Sequence, residues 1–355
     1  MATSGTTGQF NLTADEAIDM ALRQCGFEPS KKTSDISLYA VTSLELILKA
    51  LPNDGYDRWL QTTALLGVYP NQQRYQLPAG AMEVIQIIRR TSPWPLSGGT
   101  PFTTAGGTAA NAFDDSLTTL CTQTSPNGAI GYDFGTDVTQ TVSYFGINSA
   151  TSTTYTLIAE WSSDGVTYTP VHTALPKVYA DAEWSYFTIT RPVAAQYFRI
   201  REAGGATLNV RSVYLGYNPS DIQMGRINRD NRIALPNKYD DSTTPLQYYV
   251  STESSGTFID VWPMPSDPFK QFLVMYHSQP QDIGAVINTI DIPPRWQKSI
   301  ISKLAYELAK YLPGLDKDVI GRLRMDATDE VTKASAMDYD RSPSRFTFNL
   351  GRYFK

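Results

Sequence analysis

The stretch Tyr155-Thr156-Leu157-Ile158-Ala159-Glu160-Trp161-Ser162-Ser163-Asp164-Gly165 places apolar or aromatic side chains at every second residue, Tyr155, Leu157, Ala159 and Trp161, and then stops at a Ser-Asp-Gly turn. A two-residue period marks a half-buried strand, because successive side chains point to opposite faces. Similar short runs occupy 142–147, 186–189 and 197–200, separated by turn residues at the spacing of a sandwich. The middle of the chain therefore reads as all-β. Its borders are compositional. At Ser92 the run SPWPLSGGTPFTTAGG (92–107) breaks any regular element, and Tyr217-Asn218-Pro219 marks a second break. The inserted domain is placed at 97–217.

The flanks read differently. Thr13 followed by Glu16 is a capping box opening a helix over 13–25, with Gly26 as its stop. Ser34 is the expected cap of a second helix, in which Ile36, Tyr39, Ala40, Leu44, Ile47, Leu48 and Leu51 recur at helical spacing until Pro52. Extended structure follows from Trp59 to Arg90, with a turn at 67–73, then Tyr75 and Leu77, then the β-branched run Val84, Ile85, Ile87, Ile88. Beyond 219 the expected strands are 246–250, 258–262 and 272–277. Pro293 and Pro294 suit the first turn of a helix to Tyr311, whose Ile300, Ile301, Leu304 and Leu308 should pack on the amino-terminal helices. A last helix covers 317–337. The fold class is α+β: a helical bundle with a small antiparallel sheet, interrupted by an all-β jelly-roll sandwich. Residues 1–96 and 218–340 form the two parts of the outer domain, and 341–355 form a tail.

The 355 residues suffice for two or three domains, each with its own core. Charged residues are only 18% and the formal net charge is -5, so there is no global positive field to hold a phosphate backbone. Cys25 and Cys121 are the only cysteines, too far apart in sequence for a disulfide framework or a paired zinc motif. No segment reaches the length needed to cross a bilayer, and the start, MATSGTTGQF, lacks the basic and apolar regions of a secretion signal.

Four pieces of the insert occur in the order found in the discoidin, or coagulation factor 5/8 type C, family. They are Asn111-Ala112-Phe113-Asp114-Asp115 with Thr118, Gly131-Tyr132-Asp133-Phe134-Gly135, Trp161-Ser162-Ser163-Asp164-Gly165 with Tyr168, and Tyr197-Phe198-Arg199-Ile200. Over about 99–217 the chain resembles that family, which implies a galactose-binding-like jelly roll. Leu120 stands near the place of the family's tryptophan. The flanks carry Ala14-Asp15-Glu16, Gln73-Arg74-Tyr75-Gln76-Leu77-Pro78, Trp262-Pro263-Met264-Pro265 and Asp291-Ile292-Pro293-Pro294, the last opening the helix that contains Leu304-Ala305-Tyr306-Glu307-Leu308-Ala309. In that order they resemble podophage head-to-tail adaptor, or tail tubular, proteins. The resemblance implies a structural virion protein of the neck and tail, assembled in the host cytoplasm. It also implies a homo-oligomeric ring, usually twelve-fold, which joins the portal protein to a tail nozzle or tail tube protein. DNA would pass through the lumen without specific binding, which an acidic chain suits. The alternative is a carbohydrate-binding tail component whose jelly roll recognises host glycans, and behind it stands a phage-associated glycan hydrolase.

No enzyme chemistry is expected. His172 and His277 are the only histidines and neither sits in a motif. A carboxylate pair for glycoside hydrolysis could be drawn from Asp114, Asp115, Asp133 or Asp164, but these are residues that more commonly form turns. No cofactor is implied. Asn111, Asp114 and Asp115 offer calcium-type oxygen ligands, with a loop closed by Asx turns as the simpler reading. Trp94, Trp161 and Trp184 are rings that a glycan could use. The tail concentrates Arg345, Phe346, Phe348, Arg352, Tyr353 and Phe354, the residue types of interface anchors, and is expected to dock on a neighbouring subunit or the portal, with a disordered end as the alternative.

Overall fold

The computed structural model describes residues 12–55, 58–93, 96–189, 191–240, 244–266 and 270–338. They form two compact units, one from segments up to 61 and from 277 onward, the other from 62–276. The architecture is α+β: helices are fused to a jelly-roll-like β-sandwich and further sheets.

The first unit is helical. Helix α1 (Ala14–Gln24) starts where the capping box was read: Thr13 Oγ1 accepts from the Glu16 amide at 3.3 Å, and Glu16 Oε2 accepts from the Thr13 amide at 3.0 Å. Those bonds hold the Glu16 carboxyl below its ordinary pKa. Helix α2 (Ser34–Ala50) is capped by Thr33, not Ser34 as expected. Thr33 keeps the extended backbone a cap needs, while Ser34 is already helical. Past the short helix α3 (Arg229–Ala234) of the other unit, the chain returns with α4 (Pro294–Tyr311) and α5 (Lys317–Asp338). Helix α4 is the centre. Its Trp296, Ile300, Leu304 and Leu308 are fully buried against Ile18 and Leu22 of α1, Leu44 and Leu48 of α2, and Leu323 of α5. Truncating one of these leucines to alanine costs about 2–5 kcal/mol. Cys25 sits in the same core and donates from its thiol to the Ala305 carbonyl at 3.1 Å; burial pushes that thiol up to about 11.

In the second unit two four-stranded sheets share a core. One runs in the order Gln61–Gly67, Lys270–Ser278, Ala81–Thr91, Ser220–Gln223; the other Gly225–Arg226, Gln247–Glu253, Gly256–Trp262, Arg74–Gln76. Val84, Ile87, Phe272 and Val274 meet Tyr75, Tyr248, Ile259 and Val261 between them. The sandwich enters and leaves through a single pair of antiparallel strands, with Thr91 opposite Ser220 and Arg90 opposite Asp221. Arg90 clamps the Asp221 carboxylate with two hydrogen bonds of 2.8 and 2.7 Å.

The sandwich itself faces two sheets. The first has the order Thr169–Thr173, Leu157–Ser162, Tyr197–Glu202, Ala129–Asp133, Thr100–Thr103; the second has Trp184–Thr188, Gln140–Ser149, Asn209–Tyr217, Cys121–Thr122. Tyr155, Leu157, Ala159, Phe145, Ile147, Phe198 and Ile200 fill the space between, as the alternation predicts. Thr100–Thr103 departs from the sequence reading, which saw no regular element there. It is an edge strand paired with Ile130–Asp133, and at an edge the neighbouring Pro and Gly residues are tolerated.

The outer face of the second sheet is covered. Tyr144, Trp184 and Tyr214 are buried there with Tyr69 against them, and the Trp184 amide donates to Tyr69 Oη at 2.8 Å. Gly67 completes this seam, since a Cβ there would lie 2.7 Å from Trp184 Cβ.

Candidate functional site

With one sheet face covered, the open face of the sandwich is that of the other sheet. Along Tyr197–Glu202 the alternation sends Phe198 and Ile200 into the core and Tyr197, Arg199 and Arg201 outward. Register places Glu160 and Gly131 on either side of Arg199, and Asp133 beside Tyr197. Glu160 is only 5% exposed and both its oxygens are spent. Oε2 accepts from Arg199 Nε at 2.6 Å, and Oε1 accepts from Nε and Nη2 of Arg201, each at 3.0 Å. A buried carboxylate shared by two guanidinium groups fixes both cations in place.

The Ser-Asp-Gly turn brings a ring over this ion cluster. Asp164 Oδ1 accepts from the amides of Val166 at 2.9 Å and Thr167 at 2.8 Å and from the Ser162 hydroxyl at 2.8 Å. The Thr167 and Val166 amides, with that hydroxyl, hold its carboxyl down at about 2. Gly165 takes a left-handed φ of 72° close above the Tyr197 ring, where a Cβ would stand 3.1 Å from Cζ. The chain thereby folds back, and the Tyr168 ring covers Arg199 with its centroid 3.5 Å from Cζ. Burial pushes the Tyr168 phenol up, and the Arg199 charge pulls the other way.

On the far side Gly131 makes room for Phe102. A Cβ there would lie 2.4 Å from the end of that ring. Asp133 Oδ1 accepts from the Gly135 amide at 2.9 Å and Gln196 Nε2 at 3.0 Å, and Gln196 also donates to Tyr197 Oη at 3.1 Å. Between these walls lies a cleft of about 270 Å³ lined by Thr100, Phe102, Thr104, Asp133, Gly165, Tyr168, Tyr197 and Arg199. It offers a fixed guanidinium, a fixed carboxylate and three aromatic rings within a space the size of a small polar molecule.

Glycoside hydrolysis needs two working carboxyl groups, and Asp133 alone lines the cleft while Glu160 is consumed by its arginines. His172 packs beside the stacked rings of Phe145 and Phe187, where burial lowers its pKa, and His277 lies near the end of a strand of a different sheet. Among the described residues no three His, Cys, Asp or Glu side chains gather as a metal would require.

The sequence-predicted residues are scattered. Asn111 Nδ2 donates to the Leu120 carbonyl at 2.8 Å, and Asp114 Oδ1 accepts from the Ser116 amide and the Thr119 hydroxyl, both at 3.0 Å, so this loop is closed by its own bonds. Asp115 has a left-handed φ of 68°. Trp161 is half-buried and packs on the core, Trp184 lies in the covered seam, and neither ring lines the cleft. Trp94 and the tail residues Arg345, Phe346, Phe348, Arg352, Tyr353 and Phe354 lie outside the described residues. Sequence reasoning quoted Tyr168 and Arg199 only as fold markers and passed over Phe102. The signal was available in part: with Phe198 and Ile200 as core, Arg199 had to face outward.

No family model matches the chain, and no curated protein matches it. Among solved structures it is similar to the CBM32-1 module of a family 31 glycoside hydrolase from Clostridium perfringens, with 15% identity over 34% of this chain and 95% of that one, at a TM-score of 0.30. A family 32 module of NanJ from the same organism, solved with galactose, shares 12% identity over 37% of this chain and 99% of the other, at 0.30. A chitosan-binding module from Paenibacillus sp. IK-5 shares 21% over 36% and 99%, at 0.29.

These are carbohydrate-binding modules and not head-to-tail connectors, so the reading of the chain as a podophage connector, a virion protein ringing a DNA channel, is corrected. The physical reason is that its carrying residues do local work found in many folds. Ala14-Asp15-Glu16 is the first turn behind a capping box, and Asp291-Ile292-Pro293-Pro294 is a proline-led helix start. Such runs report element boundaries and do not identify an assembly.

Proposed function

We propose that this chain is a non-catalytic carbohydrate-binding protein, and that the cleft on the open face of its discoidin-like jelly roll is the binding site. The likeness to solved modules spans about a third of the chain, and the reading rests on the cleft itself. One observation carries it: Arg199, locked by Glu160 and stacked under Tyr168, stands across a small cleft from the hydrogen-bonded carboxylate of Asp133.

A sugar is amphipathic. Its C–H faces pack on aromatic rings, and its hydroxyls both donate and accept. The cleft supplies matching partners already held in place, with rings from Phe102, Tyr168 and Tyr197, donors from Arg199 and acceptors from Asp133. Preorganised polar groups lose little freedom on binding, so even a small contact area can hold a ligand. In this reading the covered seam sets the direction in which the site faces.

The test is calorimetric titration of the full chain with a panel of neutral, acidic and amino sugars, beside an Arg199→Ala variant. Binding of at least one sugar that the variant loses supports the reading. Absence of binding at millimolar concentrations, or binding that Arg199→Ala leaves intact, removes the function from this cleft.

A further inference from the structure

The helical unit carries a second, larger concavity that the carbohydrate reading does not use. Helices α2 and α5 flank it over a floor from α4, enclosing about 830 Å³. Tyr39, Leu46 and Ile47 of α2, Tyr306 of α4, and Ala327 and Val331 of α5 give it an apolar lining. Leu46 is 66% exposed within it, while Leu44 and Leu48, two residues to either side and so on the opposite face of the helix, are fully buried. An open apolar groove of this size marks a place where something docks.

The chain supplies a candidate occupant. From the end of α5 at Asp338 the sequence continues to Lys355 and contains Phe346, Phe348, Leu350, Tyr353 and Phe354. Residues 341–355 also carry Arg341, Arg345, Arg352 and Lys355 with no acidic side chain, in a chain whose net charge is -5. Reach is sufficient. The groove residues of α5 run from Arg324 to Thr332, so its far end is roughly 21 Å from Asp338 at 1.5 Å per helical residue. An extended chain advances about 3.3 Å per residue, so some seven residues span that distance and Phe346 and Phe348 can lie anywhere along it.

We infer that the segment 341–355 docks in the groove between α2 and α5 of its own chain, inserting aromatic side chains beside Leu46. A tethered segment needs no second molecule and works at the high effective concentration that a short connection gives.

The experiment uses the full chain with Leu46→Cys and Phe348→Cys, treated at high dilution with a short bis-maleimide. The natural thiols, Cys25 and Cys121, are buried and should stay out of the reaction. The expected product is a single chain cross-linked to itself. Cross-linking only between two chains would assign the groove to a second copy and overturn the inference, and so would no cross-link at all. A Leu46→Asp chain gives an independent readout. Because Leu46 is largely exposed, the variant should melt with the parent, yet trypsin should cut at Arg345 roughly tenfold faster once the segment is released. Cleavage at the parental rate in a folded Leu46→Asp chain would also overturn the inference.

Discussion

The guanidinium carbon of Arg199 lies 3.5 Å from the centre of the Tyr168 ring, so a strand residue and a loop residue together build one wall of the cleft. Arg199→Lys keeps the charge but loses both the planar stack and the fork that meets Glu160. Sugar affinity should fall by about tenfold or more, the equivalent of roughly 1.4 kcal/mol. Isothermal titration checks it, and a Lys variant binding as the parent does would contradict the role given to the guanidinium plane.

Gly131→Ala should disturb the cleft from beneath. The added carbon would meet Phe102 Cζ at 2.4 Å, the Phe198 carbonyl oxygen at 2.6 Å and Arg199 Cβ at 2.7 Å. Overpacking of this kind costs about 1–3 kcal/mol, and part of the yielding should fall on the Phe102 ring. Thermal melting combined with sugar titration separates the two effects: stability and affinity should drop together.

Acid should loosen the turn that carries Tyr168. The Asp164 carboxyl is depressed from 3.8 to about 2, so its contribution is fully present above pH 4 and is lost as pH falls toward 2. Carbon-detected NMR titration should find its midpoint near 2. Sugar affinity should decline over the same interval, and Asp164→Asn should already be weakened at neutral pH. A midpoint near 3.8 would show that the turn bonds do not form as described.

The seam between Tyr69 and Trp184 should matter for stability and not for binding. Tyr69→Phe leaves the Trp184 amide without its partner, at a cost of about 1–3 kcal/mol. In a unit of this size that lowers the melting temperature by roughly 2–4 °C per kcal/mol. Differential scanning calorimetry measures the drop, while sugar affinity at 25 °C should stay at the parental value.

Cys25 should resist thiol reagents in the folded chain. Burial raises its thiol to about 11, and the S–H is engaged in a hydrogen bond to the Ala305 carbonyl. Labelling with a maleimide at pH 7 should appear only on unfolding, and rapid labelling of the native protein would show that the helical core opens readily.

Much of this was legible from local pattern. Thr13 and Glu16 announced α1, and the spacing of Tyr155, Leu157 and Ala159 announced a core-facing strand, because caps and pleats are set by near neighbours. The cleft was not legible. Arg199, Tyr168, Asp133 and Phe102 come from different strands and one turn, and only the sheet register brings them together. Thr100–Thr103 was hidden because Pro101 and the nearby glycines mimic a loop until an edge position excuses them. Trp184 could in sequence be either a ring for a sugar or a packing residue, and only the three-dimensional arrangement reveals that Tyr69 and Gly67 cover it.

The paired strands at the root of the sandwich also set its mechanical response. Ser92 and Pro219 leave from the same end of the pair in which Thr91 faces Ser220. A ligand tugging on the open face would therefore load that pair in peeling geometry, breaking its hydrogen bonds one after another instead of all at once. The first strong obstacle to such a force is the two-pronged grip of Arg90 on Asp221, one residue in from the end. Under tension that pair acts as a latch beside the seam of Tyr69 and Trp184, and both must give way before the sandwich can separate from the strands that carry it.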